Sequence, residues 1–236
     1  MSTTLNNLKA GVFGFLMAAT VTSAVSYNKE SNMSVSSGDV DEREAVDLGL
    51  SVMWATCNVG ATAPEEFGDY YAWGETVTKE DYDYNTYKFN RNKSVGLMKL
   101  TKYNTDDMYG VVDYKAVLEP KDDVARVKLG ETWRMPTESE FIELVKQCSW
   151  KKAALNGVDG FYVISKVNGN RIFLPFAGYR YQTRLKDAGL KGHYWSSSLE
   201  AANPNSACHL FFKKSVGRSY SFRYFGQSIR PVKDYD

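Results

Sequence analysis

The chain has 236 residues, with 29 lysines and arginines against 28 aspartates and glutamates, a net charge of +1. That length suits one well-buried domain or at most two small ones, and the balanced charge argues against electrostatically driven binding to nucleic acid or a membrane surface. Aromatics make up 14% with 16 tyrosines, which suits a β-rich fold with exposed rings, and only His193 and His209 could supply a histidine-based catalytic centre.

Lys9 precedes an apolar run, Ala10 to Ala19, followed by Thr22-Ser23-Ala24. A short apolar core before small residues reads as a cleaved export signal over 1–24, too short to span a bilayer. Its single lysine also leaves an uncleaved anchor or a buried helix open. No cysteine follows the run, which excludes lipid attachment at that point. Residues 25–44 are polar, serine-rich and charged, and read as a linker. The folded domain is then 45–236. Cys57, Cys148 and Cys208 allow at most one internal disulfide; Cys57 with Cys148 is the preferred pair, against three buried free thiols. Their spacing fits no zinc site.

In VDLGLSVMWATCNVG, Leu48, Leu50, Val52 and Trp54 alternate as in a strand with one buried face. FGDYYAWGE (67–75) reads as a strand between loops. Residues 76–109 are tyrosine-rich and polar without periodicity, as expected of a long surface excursion. Asp122 and Asp123 after Pro120 suit a helix N-terminus with solvated carboxylates, and Gly130 its end. Thr137 and Glu140 form a capping box for a second helix, with Phe141, Leu144, Val145 and Cys148 along one face. FYVISK and RIFLPF flank Asn168-Gly169, a hairpin signal. YWSSS, HLFFKK and SYSFRYF are three further strand candidates, with Gly217 available for the last turn. Two short helices among many short strands make an α+β domain.

The C-terminal run has the composition of a recognition surface. Ser219, Tyr220, Ser221, Phe222, Tyr224 and Phe225 are small or aromatic, broken only by Arg223. Tyrosine gives contact area at low rotamer cost, and serine gives adaptable hydrogen bonding. The same residues also suit a strand. If the segment is irregular loop, which is the preferred reading, both faces are exposed.

Taken together, VDLGLSVMWATCNVGA, FGDYYAWGE, WRMPTESEF, IFLPFAGYR, YWSSSL and GQSIRPV resemble a family of exported proteins of gut bacteria. That family has a C-type-lectin-like fold, distantly related to the formylglycine-generating-enzyme fold. The resemblance runs from about Ala45 to the C-terminus and implies a twisted antiparallel sheet, two helices, long loops and a ligand face built from the C-terminal strands. Some members are similar to the variable proteins of diversity-generating retroelements, in which asparagine codons are rewritten to Ser, Tyr, His, Cys or Phe. That likeness assigns ligand binding to Cys208, His209, Ser219, Tyr220, Ser221, Phe222, Tyr224 and Phe225. Arg218, Arg223, YWSSS and GQSIRPV are the constant frame, and Trp133, Trp150, Trp195, Phe141 and Leu174 carry stability.

Enzymatic readings are weaker. The cysteines match no copper-binding pair of the sulfatase-activating enzymes, and His193 has no nucleophile beside it. Glu200, Asn203 and Asn205 fall short of a calcium cluster, so no cofactor or metal is implied. The expected function is a secreted or cell-surface receptor or adhesin that recognises a protein or glycan on another surface. It has no nucleic-acid partner and meets a membrane only through export or display. The alternative is a structural or assembly subunit of a surface fibre, with a formylglycine-generating-type enzyme behind it.

Overall fold

A computed structural model describes residues 44–92 and 98–235. The expected export signal, and all of the linker but Glu44, lie outside the described residues. The described chain opens with β1 (Ala45–Val46) and β2 (Met53–Ala55). Both belong to an antiparallel sheet with β11 (Val232–Lys233), so the two ends of the domain meet. Leu48, Leu50, Val52 and Trp54 are buried as their alternation predicts. Only the last part is strand, because Gly49 at φ 66° bends the approach. FGDYYAWGE is likewise no strand: it makes one bridge, Tyr71 to Gln227, although Tyr70 to Trp73 are buried.

The segment 76–109, expected to be a surface excursion, instead sends several of its rings into the core. Tyr82, Tyr87, Phe89, Leu100 and Tyr103 are buried. Tyr82 donates to the Tyr70 carbonyl at 2.5 Å and Tyr87 to the Trp73 carbonyl at 2.8 Å. A tyrosine whose hydroxyl is satisfied at the backbone packs as a large apolar ring. Polar composition therefore misled at Tyr82 and Tyr87, whose hydroxyls are taken up by backbone carbonyls.

The two α-helices fall where their caps predict. Asp123 accepts from Ala125 and Arg126 N–H at 2.9 and 3.2 Å to start α1 (Val124–Leu129), which closes at Gly130. Neither aspartate is solvated, contrary to expectation. Asp123 also accepts from Met135 N–H at 2.9 Å, and Asp122 takes Lys88 and the Tyr103 hydroxyl, each at 2.8 Å, together with Lys102. The capping box of Thr137 and Glu140 opens α2 (Glu138–Gln147), which buries Phe141 and Leu144. Cys148, expected on that helical face, is instead the first residue of β3 (Cys148–Leu155). Among the described residues, no helix is long and apolar enough to cross a membrane.

β3 pairs with β4 (Val158–Ser165), which pairs with β5 (Arg171–Pro175) across the expected turn, where Gly169 holds a φ of 79°. β6 (Tyr179–Tyr181) and β7 (Arg184–Lys186) form a small hairpin. β8 (Gly192–Leu199), β9 (Ser206–Phe212) and β10 (Val216–Phe222) form a third antiparallel sheet with β9 in the middle. Its last turn is Lys213–Ser215, and Gly217 lies inside β10 rather than in the turn.

Two apolar clusters result. One packs Phe141 and Leu144 with Trp54, Val163, Leu174, Leu210 and Phe212. The other joins Trp73, Tyr82, Tyr87, Tyr103, Trp133 and Trp195. The segment 226–232 ties them together. Gly226 pairs with Arg180, Gln227 with Tyr71, Ser228 with Tyr194 and Val232 with Trp54 and Arg134. Arg230 is fully buried and donates to Asn58 Oδ1 and to the carbonyls of Ala55, Thr56 and Phe173 at 2.8–3.1 Å.

Candidate functional site

The C-terminal hairpin places one strand inside and one outside. β9 lies between two strands, with α2 packed across the sheet. Ala207 to Leu210 are all at most 2% exposed. β10 is the edge of that sheet, and the exposure of Tyr220 and Phe222 rises to 39% and 46%. Ser219 is exposed and Ser221 half-buried. The expected loop is thus a strand up to Phe222 and a turn beyond it. Side chains on both faces are still partly open, and among the described residues no further strand pairs with this edge.

Cys208 and His209 do not belong to a ligand face. Cys208 pairs with Tyr220 and His209 with Ser219, but on a central strand their side chains point into covered layers. Burial pushes the Cys208 thiol up to about 12 and the Cys148 thiol up to about 11. Cys148 is a free thiol, so the expected bond to Cys57 is absent.

On the α2 side, the Tyr220 hydroxyl accepts from Arg218 at 2.5 Å and donates to Glu138 at 3.2 Å, and Arg218 pairs with Glu138 at 2.6 Å. These surface groups orient the strand and leave the Tyr220 ring open. Beyond Phe222 the rings gather into a terrace. Phe222 stacks on Tyr224 at 5.4 Å with 8° between planes, and Phe225 stands edge-on to both, at 5.9 and 5.0 Å. Tyr181 meets Phe225 at 5.2 Å and Tyr224 at 6.4 Å, and Tyr84 meets Tyr224 at 6.4 Å. Tyr179 links Phe225 at 5.4 Å to His193 at 5.0 Å. Tyr84, Tyr179, Tyr181, Tyr224 and Phe225 are half-buried. Offset and edge-on contacts hold such rings in fixed relative positions, so the terrace is a pre-set surface.

What anchors it is Arg223, between Phe222 and Tyr224. Its guanidinium is fully buried and donates to the Tyr87 hydroxyl and to the carbonyls of Tyr103, Pro204 and Lys102, at 2.8–3.1 Å. It lies 4.8 Å from the Trp73 ring and 5.3 Å from that of Tyr87. Carbonyls and π-faces solvate the charge in place of water. Gly226 completes the join, since a Cβ there would meet the Tyr82 ring at 2.5 Å.

Behind the terrace the two histidines stack at 5.3 Å with 20° between planes. Among the described residues, neither nitrogen of His193, nor Nδ1 of His209, has a hydrogen-bond partner. Burial lowers His193 to about 4; for His209, burial and the neighbouring His193 lower it to about 3. Both are neutral at pH 7. β6 also divides two surfaces. Tyr179 and Tyr181 face the terrace, while Arg180 turns over Tyr70 at 5.5 Å into a recess of about 500 Å³ with Asp69, Lys79 and Glu80.

No family model, curated protein or solved structure matches the chain. Of the residues assigned from sequence, the structure gathers Phe222, Tyr224 and Phe225 in the terrace, places Ser219 to Ser221 beside it, and removes Cys208 and His209 inward. Tyr84, Tyr179 and Tyr181 were missed. The Tyr-Arg-Tyr alternation at 179–181 was a usable signal, because alternate residues of a strand share a face.

Proposed function

We propose that this is an exported binding protein of C-type-lectin-like fold, whose C-terminal face recognises a protein or glycan on another surface. Ser219, Tyr220, Ser221, Phe222, Tyr224 and Phe225 make the contacts, with Tyr84, Tyr179 and Tyr181 extending the face. Recognition is by shape and aromatic contact, without chemistry. The observation that carries this reading is the partly exposed terrace hung on a fully buried arginine. A surface that must vary needs stability located elsewhere, and here the stabilising bonds run through Arg223, Arg230 and the 226–232 segment. The two helices and the antiparallel C-terminal sheet support the finer fold assignment.

Diversification by a retroelement is part of the proposal. The experiment is to sequence the DNA around the gene and look for a near-copy of its 3′ end beside a reverse transcriptase. The expected copy carries adenines at the codons for 219–222, 224 and 225 and matches the gene at Arg223 and 226–232. Absence of such a copy, or differences scattered evenly along the gene, would overturn the diversified-receptor reading.

A further inference from the structure

We propose a second binding site, independent of the terrace, that takes a carboxylate carried on a six-membered ring. It is a recess of about 550 Å³ at the far end of the C-terminal hairpin, beside the turn between β9 and β10. That volume is in the range that small ligands occupy.

The floor is aromatic and held in place. Trp150 and Phe176 both pack against Phe161, edge-on at 5.8 and 5.6 Å, and both lean on Phe212 at 5.6 and 5.7 Å. Leu190 stands at one wall with 63% of its surface exposed and adds apolar area beside the rings. A floor of fixed rings suits a flat or ring-shaped body.

The rim fixes the charge of the occupant. Lys152, Lys213 and Lys214 face one carboxylate, Asp159. Lys152 lies 3.7 Å from Asp159 and 5.6 Å above the Phe176 ring, so its charge is already shared. Lys213 and Lys214 have no carboxylate partner among the described residues and are exposed in the turn. Two uncompensated ammonium groups beside an aromatic floor are complementary to a single anion with an apolar face. Asp159 remains as an acceptor for a hydroxyl. A neutral ring would gain the floor contact alone, and a small inorganic anion the rim alone.

The test is calorimetric titration of the protein with glucuronate and with benzoate, two sources of the same chemistry, against glucose and benzyl alcohol as neutral counterparts. The expected result is a dissociation constant of about 1 mM for at least one acid, roughly tenfold tighter than its neutral counterpart. Preference for glucuronate identifies an acidic sugar, and preference for benzoate an aromatic acid. Lys213→Gln combined with Lys214→Gln lies in an exposed turn and leaves folding intact. It should weaken the acid by roughly fivefold, while Tyr220→Ser, at the terrace, should leave it unchanged. Acids that bind no tighter than their neutral counterparts, or a double variant that binds as well as the parent, would overturn the proposal.

Discussion

β9 and β10 are neighbours in one hairpin and draw on the same small and aromatic residues, yet they live in different solvents. Ala207 to Leu210 are at most 2% exposed, whereas Tyr220 and Phe222 keep 39% and 46% of their surface. Coverage makes the difference. Among the described residues, β9 has a strand on either side and β10 on one side alone, while α2 packs across both. Residue type therefore says little here about which side chain is free to meet a ligand. Position in the sheet says nearly all of it.

Removing what holds the outer strand to the inner core should have the largest effect. Arg223→Ala strips four hydrogen bonds from a fully buried site and leaves an acceptor-lined void. The expected loss is about 4 kcal/mol in chemical denaturation. Arg223→Lys should recover little of it, because an ammonium cannot reach the same set of acceptors. A loss below about 1 kcal/mol for either variant would contradict an anchoring role.

Acid should act next, on the two histidines of β8 and β9. Both histidines have folded values below the ordinary 6.5, His193 at about 4 and His209 at about 3. The unfolded chain takes up protons below pH 6.5 that the folded chain refuses, so stability falls as pH drops from about 6.5 toward 4. The slope approaches about 1.4 kcal/mol per pH unit for each histidine. Among the described residues, the groups facing the pair are Tyr179, Trp195, Phe211, Asp187 and Lys191, and none supplies a hydrogen bond that would hold a charge in place. Denaturation of His209→Phe between pH 7 and 5 should show roughly half the parent slope. An unchanged slope would remove the buried histidine from the account.

Smallest of all should be changes on the outer strand. Ser219→Tyr and Tyr220→Ser are expected to shift stability by about 0.5 kcal/mol or less. Phe222→Ser, which gives up a stacked neighbour, should cost about 1 kcal/mol. Melting curves of the three variants check this, and a loss as large as that of Arg223→Ala would erase the distinction between frame and face.

The sequence disclosed the local elements well. Asp123, Thr137 and Glu140 place both helices, Asn168-Gly169 places a hairpin, and Leu48 to Trp54 identify a buried face, because each signal is complete within a few residues. The tyrosines at 82, 87 and 103 carried no such signal. The hydroxyls of Tyr82 and Tyr87 end on backbone carbonyls and that of Tyr103 on Asp122, and Arg223 bonds Tyr87 and Tyr103 across more than a hundred positions of sequence. Cys208 and His209 misled for the same reason: β9 is central only because β8 and β10 happen to flank it. For Phe222, Tyr224 and Phe225, composition left a strand and a recognition surface both open.

The most direct test is a saturation library over residues 206–225, sorted for resistance to proteolysis without any ligand. The account predicts tolerance of nearly every residue at 219, 220 and 222, and intolerance at 208, 209, 210 and 223. Equal tolerance along both strands, or intolerance concentrated at 219–222, would contradict it.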